Sequence, residues 1–348
     1  MVLNNMKKLF ALLLTICLIL TGCGEKKKET KKETTKKEPE VKVEEKIKII
    51  DMDSKTRPYA VVINNYPSAT KVQSGLQQAY MIYEIPIEGG MSRSVALYKD
   101  VTDVKLGTIR SARQNHIDYV LENDAIFVHF GWNFKAQTDI GSLGINYIDG
   151  NSSDPAPFWR ENPTGLPTEH TVYTNLSKVI DYAKNTKKYR TTTDTKPPLK
   201  YVIGEVDLSK SEDAKVANNV SIPYGSVNVG YTYDTNTKRY KRYVNGSAHT
   251  DYFTKQHFDC KNIIVLSVGV GYLPGRSDAA GNSYLNLNNI GSGSGYYITN
   301  GYARKITWSK ESRGAQTKYK YADGTEVDIN DGNTWVMIHS SYHSATIN

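Results

Sequence analysis

The chain has 348 residues, a formal net charge of +8, 25 Tyr against 7 Phe, and three cysteines. Lys7 and Lys8 carry two of the surplus charges, and the run from Glu25 to Lys48, with ten Lys against seven Glu, carries three. The remaining 300 residues hold only about +3, which is no footprint for DNA or RNA and sets nucleic acid aside as a partner.

From the N-terminus, the first element is a basic start at Lys7 and Lys8 followed by an apolar run of twelve residues, Leu9–Leu20. That is the layout of a secretory signal, and it falls short of the ~20 residues a membrane-spanning helix needs. Leu20, Thr21, Gly22 and Cys23 then read as a bacterial lipobox, in which small residues fit a peptidase cleft and the Cys23 thiol takes the lipid. Residues 1–22 are expected to be a lipoprotein signal peptide and Cys23 the lipidation site. Two or more acyl chains anchor stably, because each buried methylene is worth about 0.8 kcal/mol. The membrane is the first expected partner, with the protein on the extracytoplasmic face of the cell membrane. With Cys17 removed and Cys23 modified, Cys260 is the remaining thiol, and a lone thiol makes no internal disulfide; an inert place at a strand start is expected for it.

Residues 23–56 read as the lipidated Cys and a charged tether. The Lys, Glu and Thr of Glu25–Lys48 bury too little apolar surface to offset ordering, so disorder is expected there. Three hundred residues exceed one typical core. The polar, Pro-paired stretch Thr191–Pro198 marks the clearest boundary. The fold class expected is α+β: a mixed α/β domain over 57–196, then a mostly antiparallel β domain over 197–348.

In the first half, Tyr59–Asn64 reads as a buried strand, Ser74–Ala79 as a helical turn, and Met81–Ile87 as an extended stretch whose Pro places it at a sheet edge. Ser94–Tyr98 is a strand. Ser111 is positioned to cap a helix running through Leu121. Ala125–Phe130 is the next buried strand, and Gln137–Leu143 and Leu176–Lys184 read as helices. In the second half, Tyr201–Gly204, Val227–Tyr233, Tyr240–Val244, Ile263–Val268, Tyr296–Thr299, Ala303–Trp308 and Trp335–Ile338 read as strands. Asn-Gly and Asp-Gly turn signals separate several of them.

Arginine is scarce, eleven against thirty-three Lys, yet Arg93, Arg110 and Arg113 fall within 21 residues. Arg110 and Arg113 share a face if Ser111 opens a helix. Guanidiniums beside a helix N-terminus suit a carboxylate or phosphate; the alternative is internal pairing to Glu84, Glu88 or Asp118. His129 ends an apolar strand before a loop, where a core role competes with a functional one. Arg160, Glu169 and His170 flank or occupy a Pro-rich loop. Gly291–Gly295 reads as a turn or bulge, and His249, Asp251 and His257 lack zinc-type spacing. With no Walker sequence, dinucleotide fingerprint or Gly-x-Ser-x-Gly elbow, no cofactor and no metal are expected.

Several blocks together resemble the YerB-type bacterial lipoproteins, a family defined by a domain of unknown function in N- and C-terminal halves. They are Arg57–Asn64, Gln73–Leu76, Tyr83–Glu84 with Glu88–Gly90, Ile109–Arg113, Ala125–His129, the Arg160 and His170 region, and Asp331–Trp335. The resemblance spans nearly everything after the tether and implies an envelope lipoprotein with α/β and β parts; it implies no established reaction. The residues point to a non-catalytic module that binds an anionic wall polymer or an envelope protein through Glu88, Arg93, Arg110, Ser111, Arg113, His129 and Arg160. The alternative is an enzyme on wall glycan or phosphodiester-linked polymer, with His129 or Glu88 as acid/base. A third reading uses a Tyr-rich β surface for a protein partner.

Overall fold

The apolar run Tyr59–Asn64 forms strand β1, and its alternate side chains enter two different cores: Tyr59, Val61 and Ile63 one, Ala60 and Val62 the other. A strand buried on both faces reads as a continuous apolar run, and here it lies inside an eleven-stranded sheet. The other strands, in chain order, are β2 (Met81–Ile87), β3 (Met91–Tyr98), β4 (Ile126–His129), β5 (Tyr147–Asp149) and β6 (Lys215–Val216), followed by β7 (Asn262–Val268), β8 (Gly291–Thr299), β9 (Tyr302–Lys310), β10 (Lys318–Lys320) and β11 (Thr334–Ser340). Across the sheet the order is β6-β9-β8-β7-β11-β2-β3-β1-β4-β5, with β10 on β9. This computed structural model describes residues 45–348, which form one unit. The expected signal peptide, Cys23 and the expected tether as far as residue 44 lie outside the described residues.

Strands β1, β2, β4, β5, β7 and β11 all point the same way, with β3 and β8 antiparallel to them. One face is covered by a six-stranded sheet whose main strands are Asn219–Pro223, Asn228–Asp234 and Arg239–Val244, and by helix α3 (Leu176–Asp181). The other face carries the preceding helices, α1 (Gln114–Glu122) and α2 (Phe134–Ser142). Tyrosine outnumbers Phe because many of these rings are buried donors: Tyr98 Oη donates to Gly75 O at 3.0 Å, Tyr173 to Val72 O at 2.6 Å and Tyr240 to Ala217 O at 3.0 Å.

Several expectations are corrected. The boundary expected at 196/197 falls between segments that share a sheet, because β11 inserts between β2 and β7 and pairs in parallel with both. Either half alone would expose an unpaired strand edge. Strand β2 is therefore central; Pro86 is tolerated because pairing with β11 stops at Glu84. The tether does not extend to Thr56: Ile50 is buried, and the N–H groups of Lys48 and Ile49 donate to the Asp331 carboxylate at 2.8 and 2.9 Å. Ser111 caps no helix, since residues 109–113 are extended and pair with Val172, Val62 and Gly131. The N-cap of α1 is Arg113, whose N–H donates to His116 Nδ1 at 3.2 Å. Gly291–Gly295 is the start of β8, paired with β9; a Cβ on Gly293 would lie 2.5 Å from Trp308 Nε1, so the Trp ring needs glycine beneath it. Cys260 is fully buried, and burial pushes its thiol pKa far up, which leaves it inert.

Candidate anion-binding site

In sheets of this kind, ligand sites gather beyond the carboxyl ends of the parallel strands. Here the ends of β1, β2, β4 and β5 bring together Asn64, Glu88, the Arg110–Arg113 segment and Gly131. The turn from β2 to β3 is Glu88–Gly90, with Gly89 at φ +73° and Gly90 at φ +69°, a region that favours glycine. A Cβ on Gly90 would lie 2.8 Å from the Ser226 backbone nitrogen. The close reversal sets Glu88 and Arg93 near the start of α1. Two adjoining depressions follow. One, of about 530 Å³, is lined by Arg110, Ser111, Trp132, Asn151 and Arg160; the other, of about 340 Å³, by Asn64, Tyr66, Arg93, Arg110 and His170. Arg110 lines both.

The arginines divide into two kinds. Arg113 is consumed internally: its Nε lies 2.9 Å from both Glu88 carboxylate oxygens, and its Nη2 bonds Oε1. Burial alone would raise the Glu88 pKa, but the Arg113 hydrogen bonds and charge, then Arg93, hold it below the usual carboxylate value. Arg93 and Arg110 form no ion pair with a carboxylate among the described residues. Arg93 is 6% exposed and donates Nη1 to Ser111 O at 2.5 Å, while its Nε has no partner. Burial, then the neighbouring Arg113 charge, pushes the Arg93 guanidinium well below the usual arginine pKa. Arg110, partly buried, makes no side-chain hydrogen bond among the described residues; burial lowers its pKa, with Arg113 and Arg160 adding to the effect against Glu169. A guanidinium offers five donors, and leaving them unfilled in a desolvated place is costly.

His170, which closes the Pro-rich loop, supplies a further donor. Its ring stacks on Tyr66 at 4.7 Å, and Nδ1 lies 2.9 Å from Asn64 Nδ2. Asn64 Oδ1 accepts the Tyr66 N–H at 3.1 Å, so the amide orientation makes His170 Nδ1 the acceptor. The remaining proton is then on Nε2, on a ring that lines the cavity. Burial, then Arg110, lowers the His170 pKa and keeps the ring neutral near pH 7.

The surrounding carboxylates are largely engaged. Asp149 accepts from Gly131 N at 2.6 Å, Asn151 N at 3.0 Å and Ser152 Oγ at 2.5 Å, and Asp278 accepts from Ala280 N at 2.9 Å and Asn282 N at 2.8 Å. Glu169 stands exposed on the rim. The cleft thus holds a surplus of strong donors over free acceptors, which suits an oxyanion.

Of the residues expected to bind ligand, Arg93, Arg110, Ser111, Arg160 and Glu88 line these two depressions. Arg113 backs them through Glu88. Arg160 is exposed at the rim, where Nη1 holds Thr168 O at 2.5 Å and the guanidinium lies 5.1 Å from the Phe130 ring centroid. His129 is a correction. Strand alternation puts it on the same buried face as Phe127; it is 0% exposed, and its Nδ1 lies 2.9 Å from Gly131 O. Asn64 and Tyr66, which the sequence reading did not single out, enter because β1 ends there. Among the described residues no group of three or more His, Cys, Asp or Glu is placed to hold a metal.

Both halves of the chain match models of one protein family. The N-terminal domain of the family described as protein of unknown function (DUF3048) matches residues 47–190, and its C-terminal domain matches residues 220–336. The chain is 30% identical over 301 residues to the putative lipoprotein YerB of Bacillus subtilis, covering 84% of each chain. The crystal structure of the Bacillus subtilis YerB protein superposes with a TM-score of 0.71 at 28% identity, over 84% of this chain and 94% of that one. The two matched domains share one sheet in this structure, and the chain belongs to the DUF3048 family of proteins.

Proposed function

We propose that this chain is exported behind residues 1–22, anchored by lipid at Cys23 to the outer face of a bacterial cell membrane, and binds an anionic envelope ligand in the cleft of Arg93 and Arg110. The lipobox supports the anchor, as does the relative's name, putative lipoprotein. No helix among the described residues is long and apolar enough to cross a membrane. The observation that carries the binding role is the pair of guanidiniums, one buried, without carboxylate partners, beside a neutral histidine with a donor to give. An enzyme acting on wall polymer would need acid/base groups other than those the sequence suggested, because His129 is fully buried and Glu88 is held by Arg113.

The test is calorimetric titration of the full chain, in detergent, with inorganic phosphate at low ionic strength. Binding is expected in the wild type and absent in Arg110→Ala, with unchanged circular dichroism. Equal binding by the variant, or no binding by the wild type, defeats the assignment. Mass spectrometry should find diacylglyceryl on Cys23, and Cys23→Ser should move the protein into the aqueous phase on detergent partitioning.

A further inference from the structure

Beside the two depressions lies a third, of about 400 Å³, lined by Val270, Tyr272, Asn282, Ser340, Tyr342 and His343 among others. It shares Ile87, Gly89 and Asn282 with the depression that holds Arg93, just as that one shares Arg110 with its other neighbour. Their order is the order of the strands. The first lies beyond β5 and β4, the second beyond β1, β3 and β2, and the third beyond β11 and β7. Seven adjacent strands at about 4.8 Å spacing set the three depressions in one row of roughly 29 Å, a groove narrowed where Gly89 faces Asn282.

The groove changes character along its length. Guanidiniums occupy one end and the middle, whereas the far end presents two tyrosine rings, Tyr272 at 63% and Tyr342 at 75% exposure. Neither ring pairs with another aromatic ring among the described residues, although most other tyrosines are buried. Hydrogen-bonding side chains, Asn282, Ser283, Ser340 and His343, stand beside these rings. An apolar ring face next to a polar rim suits a ligand that is itself apolar on its faces and polar at its edges. A pyranose ring has that shape.

We infer that the groove binds an acidic glycan as an extended chain, its anionic groups at Arg93 and Arg110 and an uncharged part of a sugar ring stacked on Tyr272 and Tyr342. The inference rests on the anion-binding reading above and adds the polymer class and a second subsite. The described N-terminal segment packs at the opposite ends of these strands: Lys48 and Ile49 are held by Asp331, which precedes β11, and Ser54 Oγ donates at 2.7 Å to Asp100, which follows the antiparallel β3. The described N-terminal segment therefore leaves the groove open along its length.

The experiment titrates the full chain, in detergent, with inorganic phosphate, with a galacturonic acid disaccharide and with the octasaccharide. The octasaccharide is expected to bind about tenfold or more tighter than the disaccharide, and Tyr272→Ala and Tyr342→Ala each to weaken it about fivefold. Neither Tyr variant should change phosphate binding, and Arg110→Ala should abolish binding of all three. Equal affinity for the two lengths, or octasaccharide binding indifferent to both Tyr variants, overturns the groove while leaving the anion site. Phosphate binding without any octasaccharide binding does the same. Loss of all binding in the wild type overturns both. Both rings are exposed, so the variants should fold, and circular dichroism checks that they do.

Discussion

Glu84 and Arg242 form a buried ion pair that ties the two halves of the chain together. Their side chains are 0% and 2% exposed, with Arg242 Nη2 at 2.6 Å from Glu84 Oε2. Ser92 Oγ donates to the other carboxylate oxygen at 2.6 Å, Arg242 Nη1 lies 2.7 Å from His249 Nδ1, and the guanidinium sits 4.5 Å from the Trp335 ring centroid. Glu84→Gln leaves the guanidinium buried without its counter-charge, which costs about 3–5 kcal/mol. A folded unit is stable by about 5–15 kcal/mol in all, so the loss is a large fraction of the total and lowers Tm by on the order of 10 °C. Urea unfolding followed by far-ultraviolet circular dichroism and by Trp fluorescence measures it, and both probes should shift together because the pair joins β2 to the second sheet. The double variant Glu84→Leu with Arg242→Met should recover most of the loss, since replacing both partners removes the unpaired charge. A Glu84→Gln cost under about 1 kcal/mol, or two resolved transitions with only one shifted, would refute the argument.

Three further outcomes follow from individual side chains. Burial would raise the Asp149 pKa, but the His129 ring 3.6 Å away and hydrogen bonds from Ser152 and Gly131 hold it at about 2 against the ordinary 3.8. The folded value is depressed, so this carboxylate contributes about 2 kcal/mol above the unfolded pKa, lost as pH falls from about 4 through 2. Asp149→Asn should lose that contribution at pH 7 and flatten the acid limb of stability, and an unchanged limb in urea titrations would count against it. For His170, whose pKa burial and Arg110 lower, a bound anion should raise the value, so phosphate should bind more tightly as pH falls through it. Proton NMR of the His170 ring, with and without phosphate, reads the shift, and an unmoved pKa argues against contact. Finally, Gly90→Ala places a Cβ 2.8 Å from Ser226 N at positive φ and should destabilise by about 1–3 kcal/mol in urea.

Much of the fold is legible from residue order. β1, α3 and most strands of the second half fall where apolar runs and turn signals place them, because burial on a pleated surface imposes its period locally. The misplacements have specific causes. Residues 109–113 look like a helix start, yet their N–H groups are taken by Val172, Val62 and Gly131, and distant partners override a local cap signal. His129 looks poised at a strand end, but its face was already settled by Phe127 two residues earlier.

What residue order carries by itself is the lipobox-like run Leu20–Cys23, a charge surplus that lies mostly in the first 48 residues, and the crowding of scarce arginines within 21 positions. Whether those arginines are free is decided only by tertiary structure. Glu88 satisfies Arg113 and neither Arg93 nor Arg110, a choice made by the Gly89–Gly90 reversal and by where α1 begins. Likewise Tyr272 and Tyr342, seventy positions apart, come to one groove because β7 and β11 lie side by side in parallel register. Pairing across such separations depends on which sheet edges remain open once the whole chain has packed, and no local pattern carries that information.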